Sequence, residues 1–375
     1  MGVIGKIDNP SRMLIFIKNY MKPKHLLFIL IVLVSCKEDD EMHERTYRMG
    51  FQNSAPRVEI DLILQTLDIW TTRADAAMIT TEVPWEELLD GASINTHIVN
   101  NYLDLVNFYR DKNFKFWIYI DPQNGLDRTS DALALLAAGK SIADADIQLL
   151  YQKFTIAMDS ILKPDHLGLA LETNLIRDAA SAAIYKGVKD AANNTAVAVH
   201  ARNPSVPLSV SVQVDHAWGK LVGGTYQGVT QDFIDFPFIT ELGLSSYAYF
   251  GFKNPTEIPM DYYSRLVAGK DLPVFVTEGG WASSSINSGG ISFTSTPELQ
   301  REYFLHHAHL LDEAKATAVF QLLFTDLDVA ALPASTPASI QYFASLGLVD
   351  INLQAKPALT IWNDLFTNRK LVSGN

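Results

Sequence analysis

Carboxylates carry most of the chemistry that this 375-residue chain can offer. Ionisable residues at or just past the ends of its short apolar runs are Glu82, Asp121, Glu172, Asp215, His216, Glu278, Asp326 and Asp328. The set holds no Lys and no Cys, which argues against a Schiff-base aldolase or a thiol enzyme. Two glutamates stand out, Glu172 after Leu167-Gly-Leu-Ala-Leu and Glu278 after Val274-Phe-Val-Thr, 106 residues apart. Two carboxyls kept in different protonation states can divide acid and nucleophile work between them. Metal chemistry has less support. The first run is followed by no His-x-His, and His306-His307-x-His309 lies in a helical stretch at spacings that spread over more than one face. Asp144-x-Asp146 reads as a helix start without downstream calcium-loop ligands. No metal and no organic cofactor is expected.

Positioning these groups requires a scaffold. Apolar, β-rich runs at 48–51, 77–81, 115–121, 167–172, 208–214, 242–247, 274–278 and 318–324 alternate with segments of helical period, among them 58–70, 98–109, 147–162 and 297–312. Thr296-Pro297-Glu298 supplies a cap, a first-turn proline and an early acid. Several runs are apolar almost throughout, as in strands covered on both faces. Eight such βα units predict an α/β fold, a single (β/α)8 TIM barrel. A doubly wound sheet is the alternative, but Gln52-Asn-Ser-Ala-Pro56 after the first run is not a glycine-rich phosphate loop. In a barrel, chemistry sits at the C-terminal strand ends. Glu241, which precedes the sixth run, then belongs to the structural face. The stretches 123–146, 219–231 and 283–295 are expected as rim loops, the last of them mobile. Trp85, Trp218 and Trp281 follow strands two, five and seven, and Tyr247 and Tyr249 close strand six. A carboxylate-lined mouth ringed by aromatics suits a sugar, whose apolar faces stack on rings.

The segment Val274-Phe-Val-Thr-Glu278-Gly-Gly-Trp281 resembles the strand-7 motif of clan A retaining glycoside hydrolases, in which the Glu is the nucleophile. Leu167-Gly-Leu-Ala-Leu-Glu172-Thr-Asn174 resembles their strand-4 acid/base segment, and Leu244-Ser-Ser-Tyr247-Ala-Tyr249 their strand-6 segment. Leu346-Gly-Leu-Val-Asp350 with Trp362 resembles the closing segment of such barrels. The resemblance covers roughly residues 46–367. The branch it is most similar to is the arabinogalactan endo-galactanase and endo-mannanase type. Leu171 stands where most members have Asn, and Phe324-Thr-Asp326 where many have a Trp. The resemblance implies a retaining, endo-acting enzyme on a β-linked polysaccharide or oligosaccharide, with Glu278 as nucleophile and Glu172 as acid/base. Desolvation beside Leu171 would raise Glu172, and Tyr247 would hold Glu278 ionised by a hydrogen bond. Asn174, Tyr247, Tyr249, Trp281, His216, Trp218, Asp121 and Trp85 are the expected substrate-binding residues. The alternatives are a non-catalytic glycan-binding lipoprotein on the same scaffold and a metal-dependent esterase or deacetylase.

The N-terminus reads as an address. Lys22 and Lys24 precede the apolar run 26–34, which is too short to span a bilayer, and Leu33-Val-Ser-Cys36 resembles the bacterial lipobox. Residues 1–35 are expected as a signal peptide, with Met21 as the natural start. The only cysteine, Cys36, is the expected lipid attachment point, residues 36–45 an acidic tether, and 46–375 the catalytic barrel. Loss of 1–35 would take the formal charge from −12 to −16, since it removes five Lys or Arg and one acid. Such a balance makes nucleic acid an unlikely partner. With 48% hydrophobic and 19% charged residues the chain is too apolar to stay disordered. A monomeric, secreted lipoprotein of the outer membrane or surface of a Gram-negative bacterium is expected.

Overall fold

A computed structural model describes residues 44–372 apart from 53, 289, 290 and 335. The expected signal segment, Cys36 and the tether up to residue 43 lie outside the described residues. Eight parallel strands close into a barrel: β1 (Arg48–Gln52), β2 (Ala76–Glu82), β3 (Lys115–Asp121), β4 (His166–Gly168), β5 (Leu208–Gln213), β6 (Glu241–Ser246), β7 (Val274–Gly279) and β8 (Ala318–Gln321). They follow one another in chain order around the sheet, and β8 pairs with β1 from Ala318 opposite Arg48 to Gln321 opposite Phe51. Every expected run overlaps one of them. The fold is a (β/α)8 barrel.

Helices cover the sheet outside: α1 (Ile60–Trp70), α2 (Asp104–Asp111), α3 (Ala145–Leu162), α4 (Ala182–His200), α5 (Thr230–Asp235), α6 (Pro297–Glu313) and α7 (Pro357–Asn368). Between β6 and β7 the described residues hold only short 3-10 turns such as Ser264–Val267, so one helical layer is reduced. The helix expected at 98–109 begins earlier, at Ile94 behind a Ser93 cap, and passes through a π-turn at Val99–Leu103. At the start of α6 the Thr296 hydroxyl accepts from the Leu299 N–H, as the cap-and-proline pattern predicts. The segment 283–295 carries a small antiparallel hairpin, Ile286–Ser288 with Ile291–Phe293, in place of the expected irregular loop. Glu44 and Arg45, expected as the end of the tether, instead pair in parallel with Lys370–Leu371.

Two cores result. A large one fills the space between sheet and helices, with Trp70, Trp85, Tyr109 and Trp362 buried in it. A smaller one lies inside the barrel and contains Trp117, Tyr119, Leu171, Phe275 and Phe320. Tyr119 fits at mid-height because its neighbours lack side chains. A Cβ on Gly168 would lie 2.3 Å from the Tyr119 ring, and one on Gly243 would lie 2.4 Å from its hydroxyl. The Tyr119 hydroxyl donates to Ser209 Oγ at 2.8 Å, which satisfies its one polar atom.

Candidate active site

Glu172 and Glu278 meet at the C-terminal mouth of the barrel, in a cavity of about 320 Å³. Each arrives by a local irregularity. β4 ends at Gly168, and Glu172 sits in the left-handed region, at φ 50° and ψ 44°, just ahead of the helix Thr173–Ala179. That backbone costs a non-glycine residue about 1 kcal/mol. It is held by a hydrogen bond from the Glu172 N–H to Ser211 Oγ at 2.9 Å. Glu278 depends on a bulge. Leu244 of β6 pairs with Val276 of β7, but Ser245 pairs with Glu278, so Thr277 is the extra residue. Bulges re-aim side chains in this way, and here the shift sets Glu278 across from Ser245.

Ser245 joins the two acids. Its Oγ lies 2.6 Å from Glu172 Oε1 and 2.9 Å from Glu278 Oε1. These two legs, 2.6 and 2.9 Å, bound the separation of the carboxyl oxygens at 5.5 Å. A hydroxyl has one proton to donate, so both contacts are hydrogen bonds only when one carboxyl is protonated and donates back to Oγ. Glu278 is the acid pushed up, to about 7, by burial first and then by the charge of Glu172, with Arg128 and Ser245 opposing. The expectation of a Tyr247 bond holding Glu278 ionised is therefore corrected. Among the described residues the contact to Glu278 comes from Ser245, while the Tyr247 N–H is turned to Asp215 at 2.9 Å.

Arg128, in the loop after β3, balances the carboxylates. Its Nη1 donates to Asp121 Oδ2 at 2.6 Å and its Nε to Glu172 Oε2 at 2.9 Å, all three groups being buried. Burial pushes Asp121 up, against the pull of Arg128. Glu82 stands near this group and accepts from the Gly125 N–H at 3.1 Å. Leu126, Leu322, Leu323, Leu327, Ile340 and Phe343 give the cavity an apolar side.

Of the expected binding residues, Asp121 and Tyr247 line this cavity with the two glutamates. Tyr249 and Trp281 line a neighbouring groove instead. The other four are turned elsewhere. Asn174 is spent within the scaffold, donating to the Gln213 carbonyl at 2.9 Å and accepting the Gln213 N–H at 2.8 Å. His216 Nε2 faces Asp178 at 2.8 Å. Trp218 donates to the Tyr262 carbonyl at 2.9 Å, and Trp85 is buried in the outer core. Short spacing after a strand end fixes height on the barrel but not direction, which is why these four miss the cavity. Ser245 and Arg128 were not anticipated. The signal for Arg128 was a lone cation seven residues beyond Asp121, where a ring of acids needs a counter-charge; the Ser245 contact depends on a bulge that no local pattern marks. Among the described residues no three His, Cys, Asp or Glu side chains are grouped so as to hold a metal ion.

Solved structures share this fold. The chain aligns with an exo-β-1,4-mannosidase from an Opitutaceae bacterium at 13% identity and a TM-score of 0.59, covering 88% of this chain and 61% of that one. With a GH5_18 protein of Bifidobacterium longum in complex with Manβ1-4GlcNAc the values are 15% and 0.57, covering 87% and 80%. With a β-glucuronidase from Ruminococcus gnavus they are 14% and 0.56, covering 86% and 50%. The chain thus spans about half the length of the glucuronidase. No family model and no curated protein matches the chain.

Proposed function

We propose that the C-terminal mouth is the active site of a retaining glycoside hydrolase acting on a β-linked oligosaccharide or polysaccharide. The observation that carries this reading is the pair of carboxyl oxygens no more than 5.5 Å apart, bounded by the 2.6 and 2.9 Å contacts to Ser245. Retaining enzymes hold their two carboxyls about 5–5.5 Å apart, whereas inverting enzymes need about 6.5–9.5 Å to admit a water. The β-glucuronidase and exo-β-1,4-mannosidase barrels described above lend support at the level of the fold.

In this reading Glu278 is the nucleophile and Glu172 the acid/base. At rest the pair shares one proton across Ser245, one carboxyl donating to Oγ while the Ser245 hydroxyl donates to the other. A shift of both protons along this line leaves Glu278 ionised and Glu172 protonated. Glu278 then attacks the anomeric carbon as Glu172 gives its proton to the leaving oxygen, forming a glycosyl ester. Water, deprotonated by Glu172, hydrolyses that ester with net retention. Arg128 keeps the Glu172 carboxyl oriented and limits repulsion between the acids. Asp121, Glu82 and Tyr247 offer polar partners to sugar hydroxyls.

Release of reducing ends from a panel of β-linked polysaccharides tests the activity, and NMR of the first-formed anomer tests retention. Glu278→Gln is expected to lower kcat/KM by more than about 10³-fold. Equal turnover by variant and wild type would sink the assignment, and sugar binding without turnover would leave a glycan-binding protein. We further propose that the protein is a lipoprotein anchored through Cys36 at the cell surface. Protease shaving of intact cells checks the placement, and full protection would put the protein inside the envelope.

A further inference from the structure

One fully buried acid takes no part in the proton transfers. Asp215 lies just past β5 and has no exposed surface. Among the described residues it forms no ion pair, and its side-chain partners are all neutral donors. Its Oδ1 accepts the Tyr262 hydroxyl at 2.5 Å. Its Oδ2 accepts the Tyr247 N–H at 2.9 Å and the Gln213 side-chain amide at 3.0 Å. Burial pushes the Asp215 carboxyl up, and these three donors oppose it. A carboxyl buried without a cation is costly, and such groups concentrate at functional sites.

The bond to Tyr247 forms where the sheet runs out. β6 ends at Ser246, and Tyr247 leaves the strand at φ −123° and ψ 60°. Its N–H is no longer met by a strand ladder, so Asp215 takes it from the end of β5. One residue back, Ser246 Oγ is hydrogen-bonded to the Tyr263 hydroxyl at 3.0 Å. Ser246 also faces Gly279 across the shifted register, so closely that a Cβ on Gly279 would lie 2.3 Å from the Ser246 carbonyl oxygen. Ser245 thus opens a three-residue segment that is pinned at its second and third positions. Tyr262 seats Asp215 and its neighbour Tyr263 seats Ser246. A hydroxyl that reaches two carboxyls at 2.6 and 2.9 Å tolerates little drift of its backbone.

We propose that Asp215 is a positioning residue: by taking the Tyr247 N–H it fixes the backbone of 245–247, and so keeps the Ser245 hydroxyl between Glu172 and Glu278. The proposal rests on that pair being the reacting centre, but its test needs no substrate. In the full-length chain, isotope-labelled at its glutamate carboxyl carbons, NMR follows the titration of Glu278, whose signal is the one missing from Glu278→Gln. Burial and the charge of Glu172 raise this titration, Arg128 and the Ser245 bond lower it, and Asp121 raises it. Asp215→Ala frees the Tyr247 N–H and is expected to raise the midpoint by at least about half a pH unit. Asp215→Asn keeps an acceptor there and is expected to restore most of the wild-type value. Loss of a negative charge alone would lower the midpoint, and equally in both variants. Asp215→Ala added to Ser245→Ala is expected to shift the midpoint no further than Ser245→Ala does alone, because the two act on one contact. Tyr262→Phe removes only the hydroxyl that seats Asp215 and is expected to raise the midpoint by less than Asp215→Ala. Three results overturn the proposal: an unmoved or lowered midpoint in Asp215→Ala (or in Tyr262→Phe, should the alanine variant not fold), an asparagine variant that behaves as the alanine one, or full additivity with Ser245→Ala. Failure of the cleavage reading would show separately, as midpoints that move as expected in a protein whose wild type releases no reducing ends.

Discussion

The two mouths of the barrel treat buried charge in opposite ways. At the N-terminal mouth, a cavity of about 480 Å³ exceeds the one around the carboxylate pair, and three acids at that mouth each face a basic partner of their own. Glu241 faces His166 Nδ1 at 2.8 Å, Asp165 takes Lys115 at 2.6 Å, and Asp75 takes Arg45 at 2.7 Å. The His166 ring lies flat on Trp117, with centroids 3.9 Å apart. At the C-terminal mouth Glu172, Glu278 and Asp121 crowd around one arginine, and a single serine hydroxyl is shared by two acids. Matched pairs secure a fold, while crowded like charges are costly and leave a proton poised to move.

The same substitution at each mouth gives the widest split. Glu278→Gln should abolish turnover while leaving thermal stability equal or higher, because glutamine cannot take up the buried negative charge that Glu278 carries above about pH 7. Glu241→Gln should leave kcat unchanged and cost about 1 kcal/mol in chemical denaturation, since it weakens a half-buried pair. A stability loss in the first and an activity loss in the second would invert the contrast. Arg128→Gln strands two buried carboxylates and should destabilise by more than Glu241→Gln, about 3–5 kcal/mol in the same assay.

Proton linkage gives a finer test. Glu278 ordinarily titrates near 4.5 and is raised to about 7 in the folded chain. Below 4.5 both folded and unfolded chains carry this proton. Between 4.5 and 7 the unfolded chain releases it first, so stability falls as pH rises through that window and the loss is complete above it. Denaturation midpoints in Glu278→Gln should lose this part of the slope. Ser245→Ala removes a bond that lowers Glu278, and should move the acid limb of the rate profile upward by about one pH unit; an unmoved limb would remove Ser245 from the proton path. The smallest effect belongs to Trp218→Phe, which loses one hydrogen bond worth about 1 kcal/mol. Its KM should stay at the wild-type value, and a tenfold rise would return Trp218 to the sugar site.

The strands were legible because sheets covered on both faces leave unbroken apolar runs, and Glu172 and Glu278 were legible as acids at the ends of two of them. The contacts between them were not. Ser245 reaches Glu278 through a one-residue register shift, and Glu172 turns through a left-handed backbone that Glu rarely adopts. Neither leaves a trace in hydrophobic period. Likewise Trp85 and Trp218 sit at the right height but point into packing, which for Trp218 is set by Tyr262, 44 residues further along the chain.

The small clasp of Glu44–Arg45 on Lys370–Leu371 brings the two ends of the described residues together. Arg45 lies three residues before β1 and reaches Asp75, the residue that leads into β2, so both ends of the described chain leave at the N-terminal rim. Joining the two ends by a short linker and reopening the chain in a loop of that rim would yield a circularly permuted barrel with an unobstructed mouth.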